Sequence, residues 1–263
     1  MLRASFFWGI MLILVGVLLG LQAAGIIAGN IWGYMWGLFL LGAGLWLLSS
    51  AFYSPGSHRA GSGVSVDRKD AGRANIRFEY GAGALVVRGG APIDKVIEGS
   101  SGVAMDVKVS YVADEARVRV STGPSWIPFL GPDEGAWVFQ LNGEMPLDIH
   151  VACGASSADM DLTGVKAHRV RFETGASTVK LVLPESAGET RVEIAGGASS
   201  FDVTLPPAVE GRVDIRQGAS AINLDEARFA QVGMNQYETA GYASATNRAD
   251  IVLNTGAARI NIR

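Results

Sequence analysis

A Gly-Ala step followed by a small residue recurs along most of the chain, and its spacing restricts the possible folds more than any other feature. It stands at Gly81-Ala82-Gly83, Gly154-Ala155-Ser156, Gly175-Ala176-Ser177, Gly197-Ala198-Ser199, Gly218-Ala219-Ser220 and Gly256-Ala257-Ala258. The middle four are 21, 22 and 21 residues apart. A fixed period of this size marks a repeat architecture, in which each unit buries its apolar face only against its neighbours.

Alternation around each glycine identifies the repeating unit. Before the glycine come Ile76/Phe78, Ile149/Val151, Val170/Phe172, Val192/Ile194, Val213/Ile215 and Ile251/Leu253. After it come Leu85/Val87, Ala158/Met160, Val179/Leu181, Phe201/Val203, Ile222/Leu224 and Ile260/Ile262. Period two on both sides of a constant glycine predicts strand, corner, strand, with these residues facing inward. Gly81, Gly154, Gly175, Gly197, Gly218 and Gly256 are then structural corners, permitting unusual backbone angles and leaving no bulk where rungs crowd. Two insertions interrupt the series. The first holds alternating stretches at Val103–Val109, Val118–Val120 and Trp137–Leu141, around a Pro/Gly-rich loop, Thr122–Glu134. The second, Ala227–Asn247, is expected to close or cap the stack.

Charge divides the chain. No Asp, Glu, Lys or Arg occurs from Ala4 to Ser57, although the whole chain carries 47 of them and a net charge of -3. Phe6–Gly29 and Ile31–Tyr53 each exceed the roughly 20 apolar residues that cross a bilayer, with a Gly29-Asn30 turn between them. Gly9, Gly16 and Gly20, and Gly33, Gly37 and Gly44, would form a packing seam between two such helices. The predicted fold is therefore a two-helix transmembrane hairpin plus an all-β, β-solenoid-like stack of short strands. The divisions are 1–53 for the hairpin, 54–72 for a flexible Ser/Gly/Pro-rich linker and 73–263 for the repetitive β domain. Arg3 precedes the first span, and Arg59, Arg68, Lys69 and Arg73 follow the second. The positive-inside rule then makes this a multi-pass protein of the cell (inner) membrane with a cytoplasmic β domain.

Chemistry-bearing patterns are scarce. The Gly-Ala-Ser steps lack the last glycine of a nucleophile elbow and sit between strands, where that motif needs a following helix. Asp159, Asp161, Asp202 and Asp225 alternate outward, as a solvated face does, and their counterparts in other rungs are Lys180, Val182 and Arg263. Cys153 has no second cysteine to pair with, and three histidines form no zinc cluster. His150 and His168 are expected at the surface. Neither cofactor, metal, catalytic residue nor nucleic-acid partner is expected. The one site-like feature is the apolar loop tip of Trp126, Ile127, Phe129 and Leu130, which can touch a membrane or a partner protein or fold back as a cap.

The segments "GIMLILVGVLLGL" and "WGYMWGLFLLGAGLWLL" resemble the LiaI/LiaF-type transmembrane hairpin. The stretches "MPLDIHVACGASSADMDLTGV", "VRFETGASTVKLVLP", "VEIAGGASSFDVTLP" and "YETAGYASATNRADIVLNTGAARINI" resemble the toastrack domain of LiaF-like proteins. The resemblance implies a non-enzymatic membrane-anchored regulator or scaffold in cell-envelope stress sensing, with a membrane or signalling protein as partner besides the lipid bilayer. Two alternatives differ in kind: a tethered structural protein that homo-oligomerises through stacked rungs, and an extracytoplasmic ligand- or sugar-binding β-solenoid.

Overall fold

The computed structural model describes Trp36 and residues 62–102, 105–122, 136–217 and 221–263. The β domain begins with β1 (Ser62–Asp67), β2 (Arg73–Ala91), β3 (Lys95–Ser101), β4 (Met105–Val112), β5 (Glu115–Thr122) and β6 (Trp137–Asn142). It continues with β7 (Leu147–Asp161), β8 (Ala167–Thr174), β9 (Thr178–Val182), β10 (Glu189–Gly196), β11 (Ser200–Thr204) and β12 (Glu210–Gln217). The last strands are β13 (Ala221–Leu224), β14 (Phe229–Gly233), β15 (Gln236–Thr239), β16 (Arg248–Thr255) and β17 (Arg259–Ile262).

Strand pairing resolves these into two ladders. The first runs β4-β5-β2-β7-β8-β10-β16-β12-β15-β14 and uses the N-terminal halves of β2 and β7. The second runs β1-β3-β6-β2-β7-β9-β11-β17-β13 and uses their C-terminal halves. Every central pairing is parallel, as expected when successive rungs repeat the same strand-corner-strand path. β2 and β7 cross the corner as unbroken strands, whereas later rungs break there into two.

The inner faces of the two ladders pack into one core. Phe78 meets Phe139 with ring centroids 5.3 Å apart, and Phe172 meets Phe201 edge-on at 5.9 Å. Each such residue contributes roughly 1.5–3 kcal/mol by leaving water. The inward positions predicted by alternation are buried in nearly every rung. The exceptions are Ile215, Ile222 and Leu224 of the last-stacked rung, which are only partly buried; β13, bearing Ile222 and Leu224, has no strand beyond it among the described residues.

Two findings differ from expectation. The two-helix transmembrane hairpin is corrected: no helix among the described residues is long and apolar enough to cross a membrane. The described part of the chain is strands joined by turns and loops, with helical backbone at Trp36 alone. Apart from Trp36, both expected spans lie outside the described residues, as do Gly9, Gly16, Gly20, Gly33, Gly37 and Gly44. Hydropathy reports the solvent a segment prefers, and that preference does not fix its backbone conformation. Second, β1 pairs with β3 and so forms part of the β domain, within the stretch expected as linker. Spatial order departs from chain order at the rung containing Gly256. β16 and β17 lie between the β10/β11 and β12/β13 rungs.

Candidate functional site

The corners align into a ridge. Gly81-Ala82, Gly154-Ala155, Gly175-Ala176, Gly197-Ala198 and Gly256-Ala257 are all exposed along it. Crowding explains the glycines. A Cβ on Gly154 would lie 2.6 Å from the Gly81 carbonyl oxygen, and one on Gly197 would lie 2.9 Å from that of Gly175. Unusual backbone angles do not explain them, because the left-handed glycines among the described residues are Gly83, Gly90 and Gly188. Gly218 lies outside the described residues.

The serine of the motif points inward. Ser177 Oγ donates to Gly154 O at 3.0 Å, and Ser199 Oγ donates to Gly175 O at 3.2 Å. Ser199 Oγ also accepts from the Ser177 backbone N–H at 3.2 Å and lies 3.0 Å from Thr174 Oγ1. Ser156 Oγ stands 3.3 Å from Ser177 Oγ, and Cys153 Sγ stands 3.6 Å from it. These hydroxyls form a buried column that binds rung to rung. A serine with its donor and acceptors committed this way has nothing left to offer a base, so the corner is structural. Beside the column, Tyr80 stacks on Trp137 at 5.4 Å, and burial pushes its hydroxyl pKa well above the usual value.

One rung departs from this pattern. β5 pairs with β2 before Gly81 and β6 pairs with β2 after it. β5 ends and β6 begins on either side of the Gly81 corner of β2, and no Gly-Ala step followed by a small residue stands between them in the sequence. The segment between them carries Trp126, Ile127, Phe129 and Leu130, which lie outside the described residues.

The outer face of the first ladder is a lattice of alternating charge. Arg77 pairs with Glu79, and Glu79 with Arg119 at 3.8 Å. Arg171 bridges Glu173 at 2.9 Å and Glu193 at 3.5 Å, while Arg191 bridges Glu193 at 2.8 Å and Asp250 at 3.4 Å. Half-exposed pairs of this kind contribute little singly, and those of Glu79 with Arg119, Arg171 with Glu193 and Arg191 with Asp250 link neighbouring strands. His150 is part of this lattice and is not a free surface residue. It is partly buried, with Nε2 3.3 Å from Glu173. Burial holds its pKa below the ordinary histidine value, against the opposing pull of Glu173. Alternation alone could not reveal this, because outward positions give no signal of which neighbours cover them. His168 is exposed, as expected.

The outward aspartates are each engaged. Asp159 pairs with Arg88 at 3.0 Å and Asp202 with Arg263 at 3.4 Å. Asp161 accepts from Thr163, and Asp225 accepts from the Ala227 N–H. No group of three or more His, Cys, Asp or Glu among the described residues is arranged to hold a metal ion. A cleft of about 470 Å³ spans the C-terminal parts of β11, β17 and β13, among Asp202, Leu224, Asp225, Glu226, Asn261 and Arg263.

Comparison with known proteins places this architecture. The family description "N-terminal domain of toast_rack, DUF2154" matches residues 54–205, more than half of the 263-residue chain. The chain belongs to the toast_rack family. The fold of its toast_rack domain recurs in the crystal structure of a candidate cell adhesion protein from Clostridium sporogenes. That structure is 20% identical, with TM-score 0.68, over 77% of this chain and 99% of the other. A candidate adhesin from Bacteroides fragilis aligns at 10% identity over 78% and 98% of the two chains. Its TM-score of 0.24 gives it no weight. No curated protein matches the chain. The toastrack resemblance read in the sequence is thus shown for the β domain. The family match begins at residue 54 and bears on nothing before it.

Proposed function

We propose that this toast_rack protein is a non-enzymatic scaffold or regulator that works through protein-protein contacts of its β domain, in the sensing of cell-envelope stress. The observation that supports it most is where β5 ends and β6 begins, on either side of the Gly81 corner of β2. A rigid ridge of exposed Gly-Ala steps has almost no side chains of its own with which to recognise anything. Between β5 and β6 the sequence carries instead four large apolar residues, Trp126, Ile127, Phe129 and Leu130. Clusters of aromatic and large apolar residues serve as anchors at protein interfaces. The hydroxyls and charges elsewhere on the stack are spent on holding rungs together, which suits a display platform better than a reaction centre.

The test is site-specific photo-crosslinking of the full chain in its native cells. A crosslinking amino acid replaces Trp126 in one variant and Arg171, in the ion-pair lattice, in another. Discrete protein adducts at 126 and few at 171 are expected. Adducts to lipid alone at 126, or equal protein yields at both positions, would remove the basis for the proposal.

A further inference from the structure

The four ladder ends are finished unequally. At one end of the stack, β4 lies antiparallel on β5, and β3 with β1 lies antiparallel beyond β6. At the other end, the β14–β15 hairpin covers β12 in the first ladder. The second ladder stops at β13, which pairs with β17 on one side and with no strand among the described residues on the other. Ala221 N–H donates to Ala258 O at 2.9 Å and Asp225 N–H to Ile262 O at 3.0 Å. In a parallel ladder alternate residues turn their backbone groups to the same side. Ile222 and Leu224 therefore present N–H and C=O groups outward, at the open edge. Their side chains are only partly buried, whereas Ile260 and Ile262 one rung inward are 0% and 1% exposed.

Shape and charge identify what fits there. The first ladder is two strands longer at this end, which leaves a step roughly 10 Å deep at about 4.8 Å per strand. That is room for an added strand or a narrow hairpin. The adjoining cleft sets the carboxylates of Asp202, Asp225 and Glu226 against one guanidinium, Arg263. Asp202 Oδ1 is shielded from solvent without a hydrogen-bond partner.

We infer that the β13 edge takes an extended, Lys- or Arg-bearing segment of a partner protein as an added strand. Its backbone pairs with Ile222 and Leu224, alternate apolar side chains cover the exposed end of the core, and its cation enters the Asp202/Asp225/Glu226 cleft. Strand addition gives affinity through main-chain bonds and selectivity through alternate side chains. This rests on the scaffold reading but involves a different surface from the Trp126 segment.

The test selects displayed short random linear peptides against the immobilised full chain. Enriched sequences should alternate apolar and polar residues and carry Lys or Arg at one end. Leu224→Pro deletes an outward N–H that β17 does not use, and it should weaken binding about ten-fold or more. Glu226→Lys should do the same, more strongly at low salt than at high. N-methylation of alternate peptide amides should abolish binding with the protein untouched, so a misfolded variant cannot mimic the result. The inference is overturned by no enrichment, by peptides indifferent to N-methylation or to both variants, or by self-association of the full chain that Leu224→Pro abolishes. Crosslinks at position 126 that persist while the β13 edge binds nothing would sink this inference and leave the scaffold proposal standing.

Discussion

Adding one methyl at two corners of the same ridge should change stability in opposite directions. At Gly154 the new Cβ would sit 2.6 Å from the Gly81 carbonyl oxygen, and ordinary contact starts near 3.4 Å, so the two rungs must part by 3.4 − 2.6 = 0.8 Å. They cannot part freely. β2 and β7 stay in continuous register across this corner, and on the other side Gly154 O accepts from Ala176 N–H at 2.9 Å. Overpacking of this kind costs about 1–3 kcal/mol, against about 0.4–1 kcal/mol gained because alanine restricts the unfolded chain. Gly154→Ala should therefore lose about 1–2 kcal/mol, and Tm should fall by roughly 2–8 °C. At Gly256 the nearest atom, Gly197 O, would be 3.5 Å away, an ordinary contact. Only the unfolded-state gain remains, and Gly256→Ala should raise Tm by up to about 4 °C. Far-ultraviolet circular dichroism melts of wild type and both variants decide the matter. If Gly154→Ala melts at or above wild type, or if both substitutions shift Tm alike, rung crowding does not explain these glycines.

Two further outcomes follow from the same contacts. Ser199→Ala strands the Ser177 N–H and Thr174 Oγ1 inside the column and should cost about 1–3 kcal/mol in urea denaturation, with unchanged m-value. The pKa of His150 is lower folded than unfolded, so as pH falls through about 6.5 the unfolded chain takes up its proton first and stability declines. Urea midpoints measured between pH 8 and 5 should fall with acidity over that window. His150→Gln should flatten the slope, and an unchanged slope would assign it to other groups.

The inward side of the stack was legible because burial imposes a period of two that no exposed strand needs. Ile149/Val151, Val179/Leu181 and Phe201/Val203 stand where alternation puts them, and the free Cys153 is buried. The strands inside the first insertion were also readable: Val103–Val109, Val118–Val120 and Trp137–Leu141 overlap β4, β5 and β6. What could not be read was neighbourhood. The half-exposure of Ile222 and Leu224 follows from being last in space, and sequence position gives no sign of that. His150 illustrates the same limit on the outer face, since Glu173 reaches it only once β7 and β8 pair. The apolar N-terminal runs show where hydropathy stops. They announce a non-aqueous preference, while the hairpin drawn from them finds no spanning helix among the described residues.

Chain order and spatial order part company at one rung, and this bears on how the stack assembles. From β7 to β11 each rung adds beside the one before it, so pairing can proceed between sequence neighbours separated by about 21 residues. The β12/β13 rung has no such parallel partner, its sequence-near pairing being the antiparallel one of β12 with β15. Its parallel neighbour on the core side is β16/β17, which the chain supplies only after the β14–β15 hairpin. β10 likewise meets β16 on its far side, with Val192 opposite Ile251 and Ile194 opposite Leu253. Insertion of β16/β17 must therefore join both flanks in one event, with long loops closed before any contact repays them. In pulse-labelled hydrogen exchange during refolding, the amides of Asp214 in β12 and Ile251 in β16 should gain protection together, later than those of Ile149 in β7 and Val170 in β8. Protection of β12 ahead of β16 would show that the rung forms on some other support. In that case the inserted rung is a late filler of a gap already built, and not the piece that joins the two halves of the stack.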